Sequence, residues 1–225
     1  KEFKVDLTTG LRVIALVSVI SSAVLIVLSY PVARVFVGEY PATAALGNVI
    51  AAFMIGLLPF SFVYMMQRAF FALEDTRTPF IFTSIQIAIH ITGSITAGFL
   101  APKEILVVTI ALVTAFSISM QGIIAYAMLK KRIGTLSGFG VSGSLARFVL
   151  SAVPATAAGI GALWLIGGIG ADSFAVDSVL SAVLSCILVS TAMAAVYLLT
   201  LGLLKSPELG EIFAGLKGRF GQAKK

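Results

Sequence analysis

Six apolar runs, each about as long as a helix must be to cross a ~30 Å hydrocarbon layer, constrain this chain more than any other feature. They cover residues 13–33, 42–67, 79–100, 105–129, 147–168 and 178–204, and beyond Arg147 at the edge of the fifth they hold no Asp, Glu, Lys or Arg. Inside lipid every backbone donor and acceptor must be paired within the protein, which leaves helices and closed barrels. Runs of about twenty residues are roughly twice the length of a membrane strand. The expected fold is therefore all-α: a polytopic transmembrane helical bundle of about six helices, followed by a C-terminal amphipathic helix. Composition agrees, with 59% hydrophobic and 12% charged residues, where a soluble domain carries about twice that charge.

The charges sit between the runs. Formal net charge is +6, and with the cations placed at span ends the matching counter-charge is anionic membrane lipid rather than nucleic acid. Lys1, Lys4, Arg12, Arg68, Arg77, Lys130, Lys131, Arg132, Arg147 and Lys205 fall on one side of a six-span arrangement, and Arg34 and Lys103 on the other. The positive-inside rule then puts both ends of the segment in the cytoplasm. A lone Cys186 excludes a disulfide within one chain. No zinc-spaced cluster, phosphate-binding glycine loop or Ser/His/Asp set appears. The reading is of a protein that is not an enzyme, with no catalytic residue, no metal site and no cofactor. The chain starts on Lys with no signal peptide ahead of its first run, as a piece cut from a longer protein would.

In order, residues 1–12 read as a polar lead-in capped by Thr8, Thr9 and Gly10. Pro31 should kink or stop the first span, leaving Arg34 to snorkel and Tyr40 to sit among headgroups. Pro59, after Gly56, should break the second span, and Pro154 lies inside the fifth. The Gly- and Ser-rich stretch 130–143 is expected to be a mobile loop. After Lys205, Ser206 would cap and Pro207 open a helix whose N-terminus Glu208 and Glu211 favour. Its Leu209, Ile212, Phe213, Leu216 and Phe220 share one face, as on an interfacial helix. The organisation expected is four spans in 1–130, a basic loop in 131–146, two further spans in 147–204 and the amphipathic helix with its basic tail in 205–225.

The densest mixture of charges lies between two of these runs, in Arg68-Ala-Phe-Phe-Ala-Leu-Glu-Asp-Thr-Arg-Thr-Pro79. Thr78 can cap and Pro79 occupy the first position of a new helix, so one helix should end near Leu73 and the next begin at Pro79. The string Ala-Phe-Phe-Ala-Leu-Glu-Asp-Thr-Arg-Thr-Pro (69–79) resembles the turn of the MurJ/MviN family of lipid II flippases, part of the MOP exporter superfamily with a MATE-like fold. That family has about fourteen spans, and this chain resembles the last six. The resemblance implies a multi-pass protein of the bacterial inner membrane. It would translocate lipid II, the undecaprenyl-pyrophosphate-linked peptidoglycan precursor, from inner to outer leaflet by alternating access, in support of cell-wall biogenesis and cell shape. An N-terminal half, absent here, would carry most of the cationic substrate site. The last two spans would form a lipid-tail groove, with Pro154, Gly159 and Trp164 as candidates.

Each candidate residue also has a plainer reading. Arg68 would lie roughly 7 Å below the turn at 1.5 Å per residue; it serves as a gate or headgroup contact, or simply snorkels. Glu74, Asp75 and Arg77 form a gate salt bridge with the other half, or a solvated turn. His90 relays a proton, or rests neutral against a neighbouring helix, and Gln86 and Gln121 are interhelical hydrogen-bond partners. Trp164 is an interface anchor as well as a groove candidate. Two other functions fit the same composition. One is MOP-type export of another substrate, a drug or a different polyprenyl-linked glycan. The other is a non-transport scaffold that recruits cell-wall synthesis proteins or a cytoplasmic regulator.

Overall fold

The computed structural model describes residues 2–134, 140–206, 208 and 210. Nine helices, and no strand, occur among the described residues: α1 (Glu2–Val27), α2 (Ser29–Phe36), α3 (Tyr40–Met54), α4 (Leu57–Ala72), α5 (Arg77–Leu100), α6 (Leu106–Ile133), α7 (Val141–Leu165), α8 (Phe174–Asp177) and α9 (Val179–Leu203). Five of them, α1, α5, α6, α7 and α9, are long and apolar enough to cross a membrane. The pair α3 and α4, bent by 43° at its break, makes a sixth if counted as one span. The protein is a multi-pass membrane helical bundle.

Proline sets two of the breaks, and it does so upstream of itself. Pro31 is the third residue of α2 and Pro59 the third of α4. A proline lacks the N–H that would bond the carbonyl four residues back, and its ring collides with that carbonyl. The helices before them accordingly end at Val27 and Met54. The expected interruptions exist, but they lie three to five residues ahead of the prolines. At the second break Gly56 packs so closely on α6 that a Cβ there would sit 3.0 Å from the Ala115 Cα. The carbonyl of Met54, left without an intrahelical donor, accepts the Ser22 hydroxyl of α1.

Residues 2–12 are not a lead-in. They are the first turns of α1, with Leu7 and Leu11 buried and the Thr8 hydroxyl turned back to the carbonyls of Lys4 and Val5. The burial of these leucines against α4 and α6 extends the helix past Arg12. The stretch 131–146 is also more helical than a loop: α6 runs to Ile133, ending at Gly134 with φ 80°, and α7 starts at Val141. The segment joining α7 to α9 contains α8, whose Ala175 and Val176 are buried. Pro154 is inside α7 without interrupting it. The amphipathic helix expected after Pro207 lies outside the described residues apart from Glu208 and Gly210, as does the middle of the expected mobile loop.

The core has three centres. Leu7, Leu11, Met66, Phe70, Phe82 and Leu129 join α1, α4, α5 and α6. Leu16, Phe148, Ala155, Tyr197 and Leu201 join α1, α7 and α9, and the Tyr197 hydroxyl donates to the Leu16 carbonyl at 3.1 Å. Leu28, Leu163, Val189 and Met193 fill the opposite end. Helix α1 thus stands between an α4–α6 half and an α7–α9 half. Helix α5 lies at the margin, with Phe80, Ile91, Ile95 and Phe99 exposed.

Candidate functional site

The turn between α4 and α5 is built by two interlocked helix ends. Helix α4 closes with the Glu74 amide donating to the Phe71 carbonyl and the Asp75 amide to the Phe70 carbonyl, both at 3.0 Å. This pair of bonds is the Schellman arrangement, which needs a left-handed residue at its apex. Here that residue is Glu74, with φ 56°, where glycine is the usual choice. Gly167 and Lys205 take the same place after α7 and α9.

Asp75 then opens the next helix. Its carboxylate accepts the Thr78 amide at 3.0 Å and the Thr78 hydroxyl at 2.8 Å. The sequence reading of this start needs correcting: α5 begins at Arg77, Asp75 rather than Thr78 provides the cap, and Pro79 is its third residue. Thr78 donates its hydroxyl instead of accepting with it, because a carboxylate three residues upstream is the stronger acceptor. The amide and hydroxyl of Thr78 hold the Asp75 carboxyl below the usual aspartate range, helped by the charge of Arg132. Glu74, Asp75, Arg77, Thr78, Ile81 and Arg132 line an open depression of about 490 Å³.

Arg68 does not join that depression. It lies exposed on α4, its guanidinium 4.6 Å above the Tyr64 ring and hydrogen-bonded to the Tyr64 hydroxyl. Tyr64 is one helical turn further from the α4–α5 turn, so the guanidinium points back along α4, away from that turn. An exposed cation–π contact of this kind stabilises by about 0.5–1 kcal/mol. Phe70 is buried and meets Phe82 at 5.9 Å between ring centres, whereas Phe71 is exposed.

The polar residues of α5 form a seam with α6. Gln121 Nε2 donates to Thr83 Oγ1 and Gln86 Nε2 to Ser117 Oγ, each at 3.1 Å. One turn beyond Gln86, His90 is half-buried, and its Nδ1 has no hydrogen-bond partner among the described residues. The three tail-groove candidates separate. Gly159 is buried against α9, where a Cβ would come within 2.4 Å of the Met193 sulfur; Pro154 is half-buried; Trp164 is 81% exposed and borders a shallow outer groove with Ile160 and Leu165.

Three polar ties were not anticipated. Arg34 donates to the carbonyls of Val37 and Gly38 after α2, and of Val176 and Asp177 at the end of α8. Tyr40 donates to the Ile169 carbonyl at 3.0 Å. Both fasten the α2–α3 turn to the segment between α7 and α9. At the other end Glu208 is buried, accepting from the hydroxyls of Ser144 and Ser206. Burial pushes its carboxyl up, but these two bonds, with the nearby charge of Arg147, outweigh it and keep the group below the usual glutamate range. The only advance sign of Arg34's role was a cation isolated on the cation-poor end.

The family model described as lipid II flippase MurJ matches residues 1–185. A probable lipid II flippase MurJ of Rhizobium meliloti (strain 1021) is 34% identical over 80 residues, which are 34% of this chain and 15% of that protein. The match therefore spans well under two thirds of the relative's length.

Proposed function

The chain belongs to the MurJ family of lipid II flippases, and on that footing we propose that it forms the last six spans of a transporter that moves lipid II across the bacterial cell membrane by alternating access. Both of its ends are then cytoplasmic, and the α4–α5 turn faces the cytoplasm. Earlier spans supply most of the cationic cavity for the pyrophosphate and sugars, and this chain contributes one wall. Arg68, aimed toward membrane depth, is the cation on that wall.

The observation that carries the reading is the broken span. A helix pair bent by 43° at Ile55–Gly56, with the Met54 carbonyl held by the Ser22 hydroxyl and Gly56 seated on Ala115, is a joint at which the two halves of the span can change angle. Discontinuous helices of this kind line the sites around which transporter bundles rock. The Asp75-capped turn ties α5 to the lower half of that joint, so motion of α4 is passed to α5.

The test is replacement of the native gene in cells depleted of flippase. The unaltered gene should restore growth and clear accumulated lipid II. Gly56→Leu, which drives a side chain into the Ala115 backbone, should insert at normal levels and leave lipid II on the inner leaflet. Translocation at the normal rate by Gly56→Leu would remove the joint from the mechanism. Persistent lipid II accumulation with the unaltered gene would remove the substrate.

A further inference from the structure

Between α1, α4, α6 and the first turn of α7 the helices leave a cavity of about 570 Å³. That volume falls in the ~300–1,000 Å³ range of sites that hold small organic molecules. Its lining runs from Pro59 to Met66 on α4 and from Ser119 to Tyr126 on α6, so it extends roughly 10 Å along the bundle at 1.5 Å per residue. Most of the wall is apolar, with Pro59, Phe62, Gly122 and Ile123 among its residues. That apolar lining suits a hydrocarbon chain.

The cavity lies toward the basic end of the bundle. Leu11 lines it, and the next residue, Arg12, carries its guanidinium across to α7, with Nη2 3.1 Å from where a Cβ on Gly140 would stand. Val141 and Ser142, the next residues along, line the cavity. The Nε of Arg12 is buried and has no hydrogen-bond partner among the described residues. A buried guanidinium donor left unmet is unfavourable, and an anionic oxygen is the acceptor that satisfies it best. Lys4 is a second cation at the same end of α1, its ammonium 3.4 Å from the corresponding point on Gly134.

We propose that this cavity binds an anionic phospholipid, with one acyl chain between α4 and α6 and the phosphate on Arg12. The chemistry selects a phosphate head without a compensating ammonium, because Arg12 and Lys4 would repel a choline or ethanolamine group placed beside them. The site lies on the α1–α7 side of α4 and is distinct from the outer groove at Trp164.

The full-length protein, purified in mild detergent and supplied with phosphatidylglycerol or phosphatidylcholine of matched chains, tests this by native mass spectrometry. The unaltered protein should retain phosphatidylglycerol about tenfold better, the size of one charge-assisted hydrogen bond. Arg12→Gln should erase that preference, and Arg12→Lys should keep part of it. Gly122→Leu should lower retention of both lipids, since a Cβ there meets only Val63 at 3.6 Å and the Pro59 carbonyl at 4.0 Å before opening into the cavity. Equal retention of the two lipids by the unaltered protein would overturn the proposal. So would a preference that survives Arg12→Gln, or binding of both lipids undiminished in Gly122→Leu.

Discussion

At Asp75 two helix ends share one residue. Its amide finishes α4 by donating to Phe70, and its carboxylate starts α5 by accepting from Thr78. The sign of its pH dependence follows from the lowered carboxyl. The cap contributes in full above the ordinary aspartate value of 3.8 and is lost only as pH falls through the lower folded value. Amide exchange at Thr78, corrected for the intrinsic rate, should stay slow down to that region and then rise. Asp75→Ala should make it fast at every pH, and unchanged exchange in that variant would show that Asp75 is not the cap. A different test applies to Arg68, which among the described residues bonds only to Tyr64; on the proposed cavity wall it would face membrane depth, where a cation costs ~2.5–3.5 kcal/mol on insertion scales. Arg68→Ala should fold and insert normally yet weaken rescue of flippase-depleted cells. Growth at the normal rate would reduce Arg68 to a lipid-facing cation. The sequence located this turn and named its residues, but it assigned the cap to Thr78. The rule that Ser, Thr, Asp or Asn can cap does not rank neighbouring candidates. Only the folded chain shows that the helix begins at Arg77, which puts Asp75 in range.

The elements show the same limit in another form. Run length located each long helix, because the membrane's thickness allows few alternatives, though it placed the first at 13–33 where α1 is Glu2–Val27. The breaks were harder. Pro31 and Pro59 were read as acting at their own positions, while the carbonyl each disrupts lies four residues earlier, and the helices end just before or at that carbonyl's residue. Pro154 has the same chemistry and does not break α7. Packing decides that case: Ala152, Ala155, Gly159 and Leu163 are buried against α1 and α9 and hold the helix continuous. Gly159 is where that packing is tightest, so the α7–α9 pair should respond to size there. The nearest atoms belong to the flexible end of Met193, so Gly159→Ala should be accommodated. Gly159→Leu should cost about 1–3 kcal/mol, the usual penalty of overfilling a packed site. Thermal unfolding in detergent measures both. A Tm for Gly159→Leu equal to the parent's would mean that the two helices are not locked together at this point.

Across the whole molecule, the two ends of the bundle differ in how they are held. One end carries Lys4, Arg12, the α4–α5 turn and the basic last turn of α6, and it is cut by the cavity beside Arg12. The opposite end is fastened by Arg34 and Tyr40, whose donors reach carbonyls of the segment joining α7 to α9. Four bonds from one guanidinium to backbone carbonyls leave it little freedom, so the α2–α3 turn and the α8–α9 entry should move as one body. In the proposed topology, which follows the charge asymmetry, the looser end is cytoplasmic and the fastened end exterior. Single cysteines at Glu74 and Asp172, both exposed and at opposite ends, test the assignment once Cys186 is replaced by Ala. In intact cells a membrane-impermeant maleimide should label Asp172→Cys and spare Glu74→Cys until the cells are opened. Labelling of Glu74→Cys from outside would invert the bundle. It would also put Arg12 and its cavity in the outer leaflet and turn the Arg68 wall away from the side on which lipid II is made, so the direction proposed for transport would fail with the topology.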